Sequence, residues 1–434
     1  MHRVFLLAIV ALLPAITRAQ SPPDPNYVRE PIFDTYEEFR AALDAATGLA
    51  DTAERTAAVD ALWNDLTDAG QVPFAIGDQA AFLYRGSASS VSWRGDFNRW
   101  GEAPGVRLGQ SDIWLLERTF PSDARTDYKV FVNGFDWKLD PDNPLEMWGG
   151  FGPNSEFRMP DYQYPHETIR RPGITEGNLS PPIRLATDNL PHDLNYQVYT
   201  PPGYDAEGLA NLPTVYVTDG HEYAADHMGS MTAVMDNLIN EGKLAPAIAV
   251  FIDPRRPDTG QNVRAELYLG NTGFADFLAD ELMPTIDDAY RTDARPESRT
   301  ILGTSFGGFF SAFFGAYRDD AVRNIVMQSP FLVPELIDVW ADNDLRFQNV
   351  VMTGGTFGDD SYADSMAAAL IGAGYDFRYM KVDDGHSWGA WRGQLDELLL
   401  ATVGAPIPEP ATGAVLAAGL LVVAFRRPSS RALA

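Results

Sequence analysis

The 434 residues contain no cysteine. That excludes disulfides, thiolate metal sites and a cysteine nucleophile together. Positive charge is scarce: 33 Lys and Arg stand against 60 Asp and Glu, a formal net charge of −27. A surface that acidic repels phosphate backbones, so no nucleic-acid partner is expected. Histidine is also scarce, at six, which leaves few positions for an imidazole base. Apolar residues are plentiful at 45%, with 12% aromatic, enough for real cores and against disorder. The chain is too long for one ordinary core, and two globular domains with appendages are expected.

Both ends read as processing segments. MHRVFLLAIVALLPAITRAQ has a basic start at His2 and Arg3, an apolar stretch from Val4 to Ile16 and a small residue at Ala19. This pattern predicts a secretory signal peptide over 1–19, too short for a membrane span. The other end, PIPEPATGAVLAAGLLVVAFRRPSSRALA, joins Pro408-Glu409-Pro410 to an apolar run and then to Arg426, Arg427 and Arg431. A tail anchor or a disordered end is the bland alternative. The layout over 405–434 resembles the PEP-CTERM sorting signal of Gram-negative bacteria. The resemblance implies transient membrane contact through this segment and processing by exosortase-type machinery. It also implies export to the cell surface or extracellular matrix of a Gram-negative bacterium.

Between the ends the patterning changes twice. TYEEFRAALDAA (35–46) and DTAERTAAVDALWNDLTDA (51–69) carry apolar residues at spacings near three and four, with Thr35 and Asp51 as N-caps. They predict a helical lead-in over 20–75. Short alternating runs separated by turn signals such as Asn133-Gly134 follow, which predicts a small antiparallel β-sandwich over 76–160. SWRGDFNRW (92–100) and YKVFVNGFDWKLDPDNP (128–144) resemble the early-set sandwich of glycogen-binding modules. That resemblance implies glucan contacts at Trp100, Lys129 and Trp137, with Asn154 beside them; the alternative is that both tryptophans belong to a core or interface. A Pro-marked linker over 161–182 precedes apolar strands alternating with helices over 183–404. The alternation predicts an α/β domain with a mostly parallel sheet covered on both faces.

The chemistry concentrates in ILGTSFGGFF (301–310). Ser305 falls where a strand turns sharply into an apolar helix, and Gly303 and Gly307 relieve the crowding there. This is the G-x-S-x-G nucleophile elbow, a weak signal until partners are found. His386 supplies one, in the loop DDGHSWGAW (383–391) after the last strand and before the last helix. The order serine, acid, histidine is the one such folds use. For the acid, TFGDDSY offers Asp359, with Asp360 as the alternative and as the competing helix cap. The backbone N–H of Phe306 and of His221, in VTDGHEY (217–223), are the expected oxyanion donors. The spacing of His221 and His227 is not that of a zinc helix, and no metal is expected.

Together YTPPGY, VYVTDG, DNLINEGKLAPAIAVFID, FLADELMPTIDDAYRT, RTILGTSFGG and KVDDGHSWGAWRGQL resemble the enterochelin (siderophore) esterase and esterase-D-like family of α/β-hydrolases, over roughly 75–403. The resemblance implies a serine esterase that works through an acyl-enzyme without a cofactor. Trp388 and Trp391 flank His386 and are expected to line the pocket. Arg255, Arg256 and Arg264 could meet an anionic substrate or sit in an ordinary salt-bridged loop. A polysaccharide ester (acetyl or feruloyl) suits an exported protein better than a siderophore ester, and a small-molecule ester stays open. Two other classes also stay open: a carbohydrate-binding surface protein on a non-catalytic hydrolase scaffold, and an acyltransferase on the same fold.

Overall fold

The computed structural model describes residues 24–405 apart from 207, 343, 344, 346, 359 and 360. The expected signal peptide, and the expected sorting tail beyond residue 405, lie outside the described residues. Among the described residues no helix is long and apolar enough to cross a membrane.

The first two helices, Tyr36–Thr47 and Thr52–Asp68, start where the sequence puts oxygen-bearing caps. Thr35 accepts the N–H of Glu38, and Asp51 those of Ala53 and Glu54. Their buried faces, including Phe39, Leu43, Val59, Trp63 and Leu66, cover one side of a four-stranded antiparallel sheet. In the strand Gln79–Arg85, Ala81 and Leu83 point to these helices. Phe82 and Tyr84 point the other way, as the two-residue period of a strand requires. There they meet Trp93, Tyr128, Val130 and Phe157 of a second, six-stranded antiparallel sheet. Asn133 and Gly134 both take positive φ, 56° and 77°, in the tight hairpin that pairs Val132 with Asp136.

A nine-stranded sheet follows. Its central order is Leu194–Thr200, Ile248–Asp253, Thr214–Val217, Arg299–Thr304, Asn324–Gln328, Asn349–Gly355 and Arg378–Val382. The short strands Asn178–Leu179 and Ile183–Leu185 add to the first of these. The expectation of a mostly parallel sheet is corrected here. Among the described strands, parallel pairing is confined to the run from Ile248–Asp253 to Arg378–Val382. Every other strand-to-strand pairing among the described residues is antiparallel, including Leu194–Thr200 on Ile248–Asp253 and both sheets of the sandwich, with one isolated parallel bridge between Leu212 and Thr292. Short connections such as residues 186–193 can only return the chain antiparallel, because a parallel return needs a long crossover. Alternating strands and helices predict only the crossover part.

That parallel run sets the site. All its strands point one way, so the turns at Thr218–Asp219, Ser305, Ser329, Thr356 and Asp383–His386 gather at one edge. Helix Phe306–Tyr317 is apolar around nearly its whole circumference because it lies between this sheet and outer helices.

Candidate active site

Ser305 stands at φ 57°, ψ −115°, between the strand Arg299–Thr304 and helix Phe306–Tyr317. A non-glycine residue there stores about 1–3 kcal/mol of strain. Three contacts hold it: its N–H donates to Gln328 O at 2.9 Å, and its carbonyl accepts the N–H of Phe309 at 3.0 Å and of Phe331 at 3.2 Å. The glycines are required by contact. A Cβ on Gly303 would lie 2.3 Å from Thr218 Oγ1 and 2.4 Å from the backbone of Gly307, and one on Gly307 would lie 2.4 Å from Thr218 Oγ1. Gln328 ties the turn to its surroundings. It accepts the hydroxyl of Tyr223 at 2.6 Å and donates to Trp391 O at 2.9 Å.

Ser305 opens into a cavity of about 510 Å³ whose wall also carries His386, Trp388, Trp391 and Arg264. The imidazole of His386 is exposed to this cavity yet enclosed by protein, which makes it both reachable and poorly solvated. Burial, and then the Arg264 charge, push its pKa down to about 4. The ring is therefore neutral at neutral pH and free to accept a proton. Trp391 meets it edge-on at 5.0 Å, and Trp388 meets Trp391 in the same way at 5.3 Å. Trp388 Nε1 donates to Glu222 at 3.2 Å. Burial, with Asp219 nearby, raises the Glu222 carboxyl to about 7.

The other wall comes from the sandwich. Trp100, Lys129, Trp137 and Asn154 face the same cavity as Ser305. Trp100 is fixed by donation from Nε1 to Asp96 at 3.0 Å. Trp137 is half-exposed, and Phe151 is fully exposed on a hairpin tip bounded by Gly150 and Gly152. Although its backbone pairs with Arg94 in the sheet, the Lys129 side chain makes no hydrogen bond or ion pair with another described residue. Arg264 does: it holds Asp219 through two bonds, at 3.0 and 2.8 Å, so its charge is largely engaged.

The side chains of Arg255 and His221 do not line this wall. Arg255 is bound through three contacts to Asp253, its neighbour two residues back, so it is not offered to a substrate in the cavity. The ring of His221 turns toward Asp253, with Nδ1 3.5 Å from its carboxylate, while the His221 backbone lies in the four-residue helix Gly220–Tyr223. Phe306 is the first residue of the helix behind Ser305. Asp359 and Asp360 lie outside the described residues. Sequence reasoning did not find Asp96, Asp127, Glu222 or Phe151, all on the wall. Only Phe151 carried a signal, as an aromatic set among three glycines in WGGFGPN.

Residues 187–354 match a protein family described as putative esterase. The ferric enterobactin esterase of Salmonella typhimurium superposes with a TM-score of 0.65 at 19% identity, covering 79% of this chain and 98% of that one. The Shigella flexneri enterobactin esterase, solved with enterobactin, gives 0.61 at 19% identity over 74% and 92%. The fold is the one these esterases share. In sequence, a Bacillus subtilis protein of uncharacterised function, YjcH, is 21% identical over 222 residues, 48% of this chain and 91% of its own length. An endo-1,4-beta-xylanase/feruloyl esterase of Xylanibacter ruminicola is 26% identical over 216 residues, 47% of this chain but only 25% of that protein. Family match and fold together support an ester hydrolase in general terms.

Proposed function

We propose that the protein is an exported serine esterase, with Ser305 as nucleophile and His386 as its general base. The observation that carries this is the strained Ser305 turn opening into the cavity that also holds a neutral His386. His386 takes the Ser305 hydroxyl proton as Oγ attacks the ester carbonyl, and the N–H of Phe306 and of His221 receive the developing oxyanion. Collapse expels the alcohol, to which His386 returns the proton, and leaves an acyl-serine. Water, deprotonated by the same imidazole, then releases the acid and the serine. Asp359, or Asp360 in its place, orients the imidazole. No cofactor enters these steps.

For the substrate, a polysaccharide ester carrying an acetyl or feruloyl group is favoured over a siderophore ester. The reading is supported by the aromatic wall from Trp100 and Trp137 to Trp388, which suits flat apolar faces, and by the export signal in the sequence. The terminal segments are read as a cleaved leader and a sorting tail, which puts the mature protein at the cell surface.

The test is hydrolysis of a short-chain nitrophenyl ester by residues 20–404, beside Ser305→Ala. Turnover that the substitution abolishes is expected. Turnover that survives in Ser305→Ala would remove the serine from the mechanism. Release of acyl group to an added polyol rather than to water would convert the reading to acyl transfer.

A further inference from the structure

The loop that carries His386 is shaped by side chains of the sandwich. Arg125, at the start of the strand Arg125–Val132, is about 1% exposed and reaches across to this loop. Its Nη1 donates to Asp384 Oδ1 at 3.0 Å and to Ser387 Oγ at 2.9 Å, which are the second residue before His386 and the first after it. Its backbone N–H donates to Asp383 O at 2.9 Å. On the sandwich side Nε donates to Glu156 at 2.8 Å and Nη2 to Asp127. The planar fork is thus held by partners on both sides, a geometry the ammonium of a lysine does not reproduce.

The glycines of D-G-H-S-W-G show the same fit. A Cβ on Gly389 would fall 1.9 Å from Arg125 Cζ, so the guanidinium lies directly on that backbone. A Cβ on Gly385, the residue before His386, would fall 2.0 Å from Asp96 Cγ. Asp96 is itself fixed, accepting the N–H of Asp127 at 2.8 Å. From its other side the loop is tied to the strand Asn349–Gly355: Thr356 N–H donates to Val382 O at 2.9 Å, and Phe357 N–H to Asp384 O at 3.1 Å. His386 makes no hydrogen bond of its own to another described residue. The backbone that carries His386 is thus held on two sides, and Arg125 is the tie from the sandwich.

We infer that Arg125 is a positioning residue for the base: reaching from the sandwich, it fixes the loop that aims His386 at Ser305. This rests on the esterase reading and assigns the sandwich a part in catalysis apart from substrate contact. A loop shift of about 1 Å at a base costs on the order of 10²-fold in rate. In Arg125→Lys, kcat per active site is accordingly expected to fall about 10- to 100-fold, with KM for a short-chain nitrophenyl ester within about twofold of wild type.

Active sites are counted by fluorophosphonate titration of Ser305, so that unfolded protein does not enter the ratio. Asp384→Asn is run beside it, because it keeps the volume and one acceptor oxygen while removing the charge. Its kcat is expected to fall in the same direction, and it carries the comparison if Arg125→Lys does not accumulate folded. A clamp with a merely structural role would lower the melting temperature of both variants and leave kcat per titrated site unchanged, which overturns the inference alone. A wild-type protein that neither hydrolyses the ester nor takes up the probe would sink the esterase reading and this inference with it.

Discussion

At Ser305 and His386 the strain and the pKa are set by neighbours rather than by the residues themselves. The positive φ at Ser305 requires the strand and helix to approach so closely that Gly303 and Gly307 both abut Thr218 Oγ1. Gly303→Ala should therefore destabilise the protein by at least about 1–3 kcal/mol, through overpacking against backbone that cannot yield. Urea denaturation measures this; an unchanged midpoint would mean the turn is looser than described. His386 gives the second prediction at this scale. The base must be neutral to act, and burial with Arg264 nearby holds its pKa at about 4. The acid limb of kcat/KM, which reports the free enzyme, should accordingly have its midpoint below the ordinary histidine value of about 6.5. A midpoint at the ordinary histidine value would show that the imidazole is solvated.

Among the elements, the glycine-bounded hairpin at Phe151 and the hairpin bearing Trp137 form the cavity's outer wall, and both residues are exposed rather than core. Trp137→Ala should raise KM about two- to tenfold for an ester whose acyl or alcohol part is a sugar or an aromatic ring. Stacking of that kind is worth about 0.5–1.5 kcal/mol. The melting temperature should not move, and steady-state kinetics on one small and one bulky ester separate the two effects. The elements also show where the sequence was legible. Helix caps at Thr35 and Asp51, the strand–turn–helix around Ser305 and the loop position of His386 are local patterns, and local sequence carries them. Strand direction is not local: whether Leu194–Thr200 pairs parallel or antiparallel depends on which strand lies beside it. Asp96, Asp127 and Glu222 escaped for a related reason. An isolated carboxylate looks alike in a solvated turn and in a cavity wall, and only the meeting of distant segments distinguishes them.

Over the whole molecule, sandwich and hydrolase sheet share one cavity and one buried charge network, so neither half should work alone. Residues 183–404 by themselves would leave the His386 loop without Arg125 and the cavity without its second wall. They should turn over short esters far more slowly than the full chain. The buried carboxylates also set a pH dependence of stability. Burial raises Asp96 to about 8 and Asp140, Asp384 and Glu222 to about 7, each well above its unfolded value. In that range the folded state binds more protons than the unfolded one, so stability falls as pH rises. His386 opposes this only below its unfolded value near 6.5. Between about pH 6.5 and 8.5 the acids act unopposed, and the melting temperature should drop; a rise over that interval would contradict the burial assignments. The central claim, that Ser305 is a nucleophile activated in this shared cavity, is tested most directly by covalent capture. After treatment with a fluorophosphonate, intact mass and peptide mapping should place one adduct on Ser305, and Ser305→Ala should stay unmodified. No adduct, or one on another residue, would contradict the account.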